Sequence, residues 1–228
     1  MNILTQNGKM KKSSQNGIDV FNFGIPAFQS NIGLKTCPNA GVCATGCYAR
    51  SGTYRFGNVI NAYEFRLKLT QDENFAKLLI SEINAKLIRS KMKGNECLIR
   101  IHDSGDFYSK DYAMSWIEIV EACPDVRFYA YTKMVSLFET LADENFRPKN
   151  LRMIYSYGGL QDSQIDTARH FHSKVFQNET DLISQGYSDA SNDDLVAALG
   201  PNKRIGLIYH GVKGYDKTLW KRANTVSK

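Results

Sequence analysis

The chain has 228 residues, of which 43% are hydrophobic, and a formal net charge of +6 from 29 basic and 23 acidic side chains. That composition excludes a disordered chain and a small disulfide-stapled scaffold, and the length is enough for a large core. No apolar run approaches the roughly 20 residues of a membrane span, and the polar start lacks a secretory apolar segment, so a cytoplasmic protein with no membrane partner is expected. In a reducing compartment, five cysteines point to metal binding or buried thiols. The basic residues are scattered, so nucleic-acid binding is the less favoured reading of the charge.

In chain order, residues 1–17 are polar and read as a mobile or loosely docked start. Residues 20–28 form a short apolar passage interrupted by Gly24 and Pro26, and residues 36–54, rich in Gly, Ala, Ser and Thr, read as a wrapped loop. Thr70-Gln71-Asp72-Glu73 has the form of a capping box, and Phe75, Leu78, Leu79, Ile83 and Leu87 predict a long amphipathic helix ending near Lys93 and Gly94. The rhythm then changes. Strands are predicted at 97–102, 127–131 and 151–155, a very short one at 174–176, and a last one at 205–209. Helices are predicted at 111–122, around 137–141, from Asp162, and at 191–199, where Gly200-Pro201 stops the chain. This spacing is that of βα units, whose parallel sheets place ligands beyond the carboxyl ends of the strands. The units are too few for an eight-stranded barrel. A partial (β/α) barrel or an open, mostly parallel sheet with an N-terminal cysteine loop is expected, with residues 18–228 as a single α/β metal-binding domain.

The densest chemistry lies in Cys37-Pro-Asn-Ala-Gly-Val-Cys43-Ala-Thr-Gly-Cys47. Three thiols at C-x5-C-x3-C spacing, separated by small residues, can face an inorganic centre while backbone amides bond its sulfides. With no fourth cysteine nearby, a [4Fe-4S] cluster with one open iron fits the pattern. Zinc is the competing metal, although the C-x2-C knuckles common in zinc sites are missing. Cys97 and Cys123 read as core residues.

The predicted strand ends carry the remaining candidates. His102, Asp103 and Asp106 follow the first regular strand: His102 as a fourth ligand or proton carrier, the two aspartates as holders of a substrate hydroxyl or amine. Turn and helix capping would explain the same aspartates and Ser104 without function. Lys133, past the next strand, would neutralise negative charge. Tyr48, Arg100, Ser104, Tyr131, Tyr155, Tyr157 and His210 are candidate cofactor-binding side chains, although strand tyrosines also pack. Gly158-Gly159 would allow a close backbone approach or simply make a turn.

The phrases FGIPAF, CPNAGVCATGCYARSGTYRF, RIHDSGDFYSKDY and RFYAYTK resemble the gene-product-88 family of bacteriophage proteins over roughly residues 20–160. The resemblance implies a phage or prophage origin, hence the host cytoplasm, and a cysteine-bound metal centre, without naming a reaction. A looser likeness to radical S-adenosylmethionine enzymes rests on a three-cysteine loop, an open iron and a partial barrel. It implies a place for S-adenosylmethionine. The usual C-x3-C-x2-C spacing is absent, Gly46 rather than an aromatic residue precedes the third cysteine, and Leu160 stands where Gly-Gly-Glu would end. The expected function is an iron–sulfur protein with redox or radical-type activity on a small molecule or redox partner. The alternative is a structural zinc or cluster domain that binds nucleic acid or a host protein.

Overall fold

The structure of the chain, a computed structural model, describes residues 2–209. A short helix α1 (Gly8–Ser13) and strand β1 (Ile18–Phe23) precede the irregular cysteine segment, which leads into helices α2 (Gly57–Leu69) and α3 (Phe75–Met92). Then follow β2 (Glu96–Ile101), α4 (Lys110–Ala122), β3 (Arg127–Thr132), α5 (Val135–Asp143) and β4 (Leu151–Ser156). The described part ends with β5 (Phe171–Phe176), α6 (Glu179–Ser184), β6 (Ser188–Asp189), α7 (Asp194–Leu199) and β7 (Arg204–Ile208). All strand pairs are parallel, in the order β1-β2-β3-β4-β5-β7-β6, and the sheet curls into a half-barrel. This is the open, mostly parallel α/β architecture expected from the strand spacing.

Because successive side chains of a strand point to opposite faces, each strand feeds two cores. Phe21, Phe23, Cys97, Ile99, Ile101, Phe128 and Ala130 face outward and pack with Phe75, Leu79 and Ile83 of α3 and Trp116, Ile117 and Val120 of α4. Val20, Leu98, Tyr129, Ile154 and Ile205 face inward and meet Met10 of α1 and Ala197 and Ala198 of α7. The outer helices form where apolar residues recur at helical spacing. Ser109 caps α4 by accepting a hydrogen bond from the Tyr112 amide at 3.1 Å.

Several local expectations are corrected. The polar start is docked: Leu4 is 1% and Met10 0% exposed, because a few apolar side chains fall on one side of an otherwise hydrophilic segment. Thr70 does not open a helix with Glu73 but closes α2, its hydroxyl donating to the Leu67 carbonyl at 2.6 Å and meeting the Tyr108 hydroxyl at 2.8 Å. The following helix starts only at Phe75, after a turn in which Asp72 accepts from the Asn74 amide at 2.8 Å. From Asp162 there is a single 3-10 turn, Asp162–Gln164, because the Asp162 carboxylate is engaged by the Gly158 and Gly159 amides, both at 2.9 Å. The strand expected at 174–176 begins at Phe171. The sequence shows no sign of five elements, α1, β1, α2, α6 and β6. Gly24 and Pro26 interrupt the apolar passage that holds β1 but lie past its end, and α2 buries only Arg66 and Leu67 and so shows no apolar stripe. Among the described residues, no helix is long and apolar enough to cross a membrane.

Candidate functional site

Moving two residues along a strand keeps the face and advances about 6.6 Å toward the carboxyl end. On the inner face the step from Leu98 leads to Arg100, from Tyr129 to Tyr131, from Ile154 to Ser156, and from Ile205 to Leu207. An apolar layer is thus followed by a layer that is largely polar. These residues, with Val175, line a cavity of about 330 Å³ at the carboxyl ends of the strands. The cysteine segment forms its facing wall: Cys37, Cys43, Cys47 and Tyr48 all line it, as do Lys9 of α1 and Asp194 of α7.

The wall is pinned to the sheet by backbone. Ala40 bridges to Gly159, the Cys43 amide donates to the Gly158 carbonyl at 3.0 Å, and the Leu160 amide to the Asn39 carbonyl at 2.9 Å. The contact is tight enough that a β-carbon on Gly41 would lie 3.1 Å from the Gly158 oxygen, and one on Gly159 3.0 Å from the Asn39 oxygen. The Gly158-Gly159 pair therefore serves close approach of the cysteine loop. Among the described residues, three non-glycine residues have positive φ, and two of them border this site: Phe28 at 64° and His102 at 65°. The Phe28 conformation aims its amide at the Cys37 sulfur, 3.3 Å away. Burial pushes the Cys37 thiol up to about 12 and the Cys47 thiol up to about 11, with neighbouring anionic groups adding to both shifts.

The loop after β2 places its polar residues in unlike surroundings. His102 is 3% exposed, and its ring packs among Phe23, Phe107, Tyr112 and Trp116. Its Nε2 meets the Tyr112 hydroxyl at 2.7 Å, and burial together with Arg100 depresses its pKa to about 3, so it is a neutral ring bonded toward α4. Asp103 accepts hydrogen bonds from the hydroxyls of Tyr63 at 2.8 Å and Tyr54 at 3.4 Å, while its backbone carbonyl accepts from the Tyr48 hydroxyl. Burial raises the Asp103 carboxyl, partly offset by Arg100 and the Tyr63 bond. Asp106 has both oxygens engaged: Oδ1 accepts from Thr132 at 2.6 Å and from the Phe107 amide at 2.8 Å, Oδ2 from the Lys133 amide at 2.9 Å. It clamps the end of β2 to the end of β3. Ser104 is buried, and its carbonyl accepts from the Ile25 amide at 3.1 Å.

Lys133 extends its ammonium to Ser156 Oγ at 3.0 Å. Burial works against its charge, but Cys43, Asp106, Asp162 and Cys37 outweigh it and raise the pKa. The Arg100 guanidinium lies over the Tyr131 ring, 5.4 Å from its centroid, and donates to the Tyr48 hydroxyl at 3.3 Å. Tyr48 is 50% exposed although its hydroxyl is turned inward, and burial of that end pushes its pKa up to about 12.

The structure thus gathers Cys37, Cys43, Cys47, Tyr48, Arg100, His102, Asp103, Ser104, Asp106, Tyr131 and Lys133 around one cavity. It leaves out Tyr155, which is on the outer face and donates to Glu139 at 2.8 Å, and Tyr157, whose ring lies edge-on to His172 at 6.0 Å. Strand alternation is the reason: Ser156, between them, faces the cavity. His210 lies outside the described residues. Sequence reasoning missed Lys9 and Asp194. The only available signal was the Asp193-Asp194 pair, which reads as a helix cap, and Asp193 does cap α7 by accepting from the Leu195 amide at 2.9 Å.

Among the described residues, no three His, Cys, Asp or Glu side chains form a group that could hold a metal ion. A single zinc ion needs its donors converging on one point. Cys37, Cys43 and Cys47 share one cavity wall, with the Phe28 amide on the Cys37 sulfur and the Ala49 amide on Cys47.

No solved structure matches the chain. It is 29% identical over 156 residues to the Gene 88 protein of Mycobacterium phage L5, covering 66% of this chain and 61% of that protein. It is 28% identical over 156 residues to the Gene 88 protein of Mycobacterium phage D29, with the same coverage. The match therefore spans about three fifths of the length of these curated relatives. The profile of the family described as Gene product 88 matches residues 1–224, nearly the whole chain, and the protein accordingly belongs to the gene product 88 family.

Proposed function

We propose that this chain is an iron–sulfur protein that brings a small molecule to a [4Fe-4S]-type cluster held by Cys37, Cys43 and Cys47. One observation carries the reading: all three cysteines line the same cavity as Arg100, Tyr131, Lys133 and Ser156, at the carboxyl ends of a parallel half-barrel. When bound, a cluster with an open iron supplies a redox centre or a Lewis acid. The chain's own contribution is derived from its residues. The Cys37 and Cys47 thiols would have to lose their protons to hold the cluster, and the cation of Lys133 beside Cys37 and Cys43 would offset the charge so created. The Phe28 and Ala49 amides stabilise thiolate charge. Asp103, held by three tyrosines, fixes the wall that carries Tyr48. S-adenosylmethionine is the cofactor to assay on the reduced, loaded protein.

The test is anaerobic reconstitution with iron and sulfide, followed by metal and sulfide analysis and visible and EPR spectra. Iron and sulfide in near-equal amounts, lost in Cys37→Ala, Cys43→Ala or Cys47→Ala, is the expected result. Stoichiometric zinc without a visible chromophore would overturn the reading.

A further inference from the structure

From the floor of the cavity we infer that the ligand carries an oxyanion, a carboxylate or a phosphate, which Arg100 receives with help from Lys9. This deepens the proposed function and rests on it for the cavity's role as the ligand site, not for the presence of a cluster. The first observation concerns how the cations of the cavity are paired. Lys9 Nζ and Arg100 share a single carboxylate oxygen: Asp194 Oδ1 lies 3.1 Å from the former and 3.4 Å from the latter. Asp194 Oδ2 has no hydrogen-bond partner among the described residues, so both cations where α1, β2 and α7 meet take their ion pair from Oδ1 alone. The other two aspartates of the cavity direct their hydrogen bonds elsewhere, Asp103 to Tyr63 and Tyr54, and Asp106 to Thr132 and the Phe107 and Lys133 amides, although the Asp103 carboxyl still feels the Arg100 charge. Lys133 is a third cation of the cavity: its ammonium bonds the Ser156 hydroxyl, and Asp106 and Asp162 act on its charge.

The second observation concerns hydrogen bonding. Arg100 is 15% exposed at its side chain, and its Nε is buried without a hydrogen-bond partner among the described residues. Its two side-chain bonds, to Tyr48 and Asp194, are long at 3.3 and 3.4 Å. A buried guanidinium donor without an acceptor is unfavourable, and a ligand oxygen would relieve it. The Arg100 guanidinium lies over the Tyr131 ring, 5.4 Å from its centroid, which restricts where the fork can sit. The cavity volume, about 330 Å³, suits a small metabolite rather than a polymer.

The experiment uses the full chain, metal-free, at constant ionic strength, titrated separately with inorganic phosphate and with succinate. Binding is read by calorimetry and by the NMR cross-peak of the Arg100 Nε–H, assigned by its loss in Arg100→Lys. A saturable shift of that peak is expected with at least one probe, and the probe that saturates at lower concentration tells phosphate from carboxylate. Affinity should fall about tenfold or more in Arg100→Met and less in Lys9→Met, and stay unchanged in the surface variant Lys91→Met. Thermal melts show whether Arg100→Met is folded. If it is not, Arg100→Lys, which keeps the charge beside Asp194 but loses the fork, must show the weakening. An Arg100 Nε–H peak that stays in place with both probes, or equal affinity in Arg100→Lys and Arg100→Met, would overturn the inference. Because no metal is present, these results stand or fall apart from iron binding.

Discussion

Asp103 and Asp106 sit on the same loop, yet their oxygens have different duties, and His102 beside them has a third. Three donors converge on Asp106 from Thr132, Phe107 and Lys133, so its removal strands all three in a buried site. We predict that Asp106→Ala lowers stability by about 3 kcal/mol or more, and that Asp106→Asn recovers part of the loss. Urea denaturation of the metal-free protein measures both; a loss below about 1 kcal/mol would show that the clamp is not structural. His102 makes a prediction about pH. Its folded pKa, about 3, lies below the ordinary value of 6.5, so between these values the unfolded chain binds a proton that the folded chain refuses. Its contribution is therefore full above pH 6.5 and declines as pH falls toward 3, by about 1.4 kcal/mol per pH unit. The slope of stability against pH over this window should be shallower in His102→Phe, and identical slopes would show that the ring titrates normally. The sequence correctly brought these three residues to one strand end. Their division of labour was not legible there, because it depends on which donors other strands and helices bring to each oxygen or nitrogen.

At the level of elements, the cavity depends on pieces that local patterns hardly announce. Helix α1 has six residues and a run of lysines, but Met10 plugs the inner core and Lys9 reaches the Ala190 carbonyl, 181 residues away, at 3.0 Å. Truncating Met10 to Ala is expected to destabilise the protein by roughly 2–5 kcal/mol. A denaturation midpoint unchanged from wild type would mean that α1 is an ornament rather than part of the core. The cysteine loop depends in the same way on Gly41. A valine there would drive its side chain into the Gly158-Gly159 backbone and lift the loop from the sheet. Reconstituted Gly41→Val should hold less than about half the iron of wild type while melting within a few degrees of it, since the outer core is untouched. Full iron retention would show that the pinning of the loop is dispensable. Between β4 and β5 a helix was expected and only a turn is found, which leaves the outer face there with an open groove of about 630 Å³ lined by Phe138, Phe146, Met153 and His170.

At the scale of the whole molecule, seven parallel strands curl so that one face is walled by α3, α4 and α5 and the other encloses a site under the cysteine loop. Much of this was readable in advance. Strands β2, β3, β4 and β7 and helices α3, α4 and α5 announce themselves through periods of 2 and 3.6 residues, and the three cysteines through their separation by small residues. Such patterns are local, and strand spacing alone implies parallel βα connections with a ligand edge at the carboxyl ends. What only the tertiary structure decided is which candidates meet. The curl and register of the sheet turn Arg100, Tyr131 and Ser156 inward and Tyr155 outward. They also bring Asp194 to Arg100 across 94 residues of chain. A pairing of that kind is set by packing of the whole sheet against α1 and α7, and no stretch of sequence contains both partners.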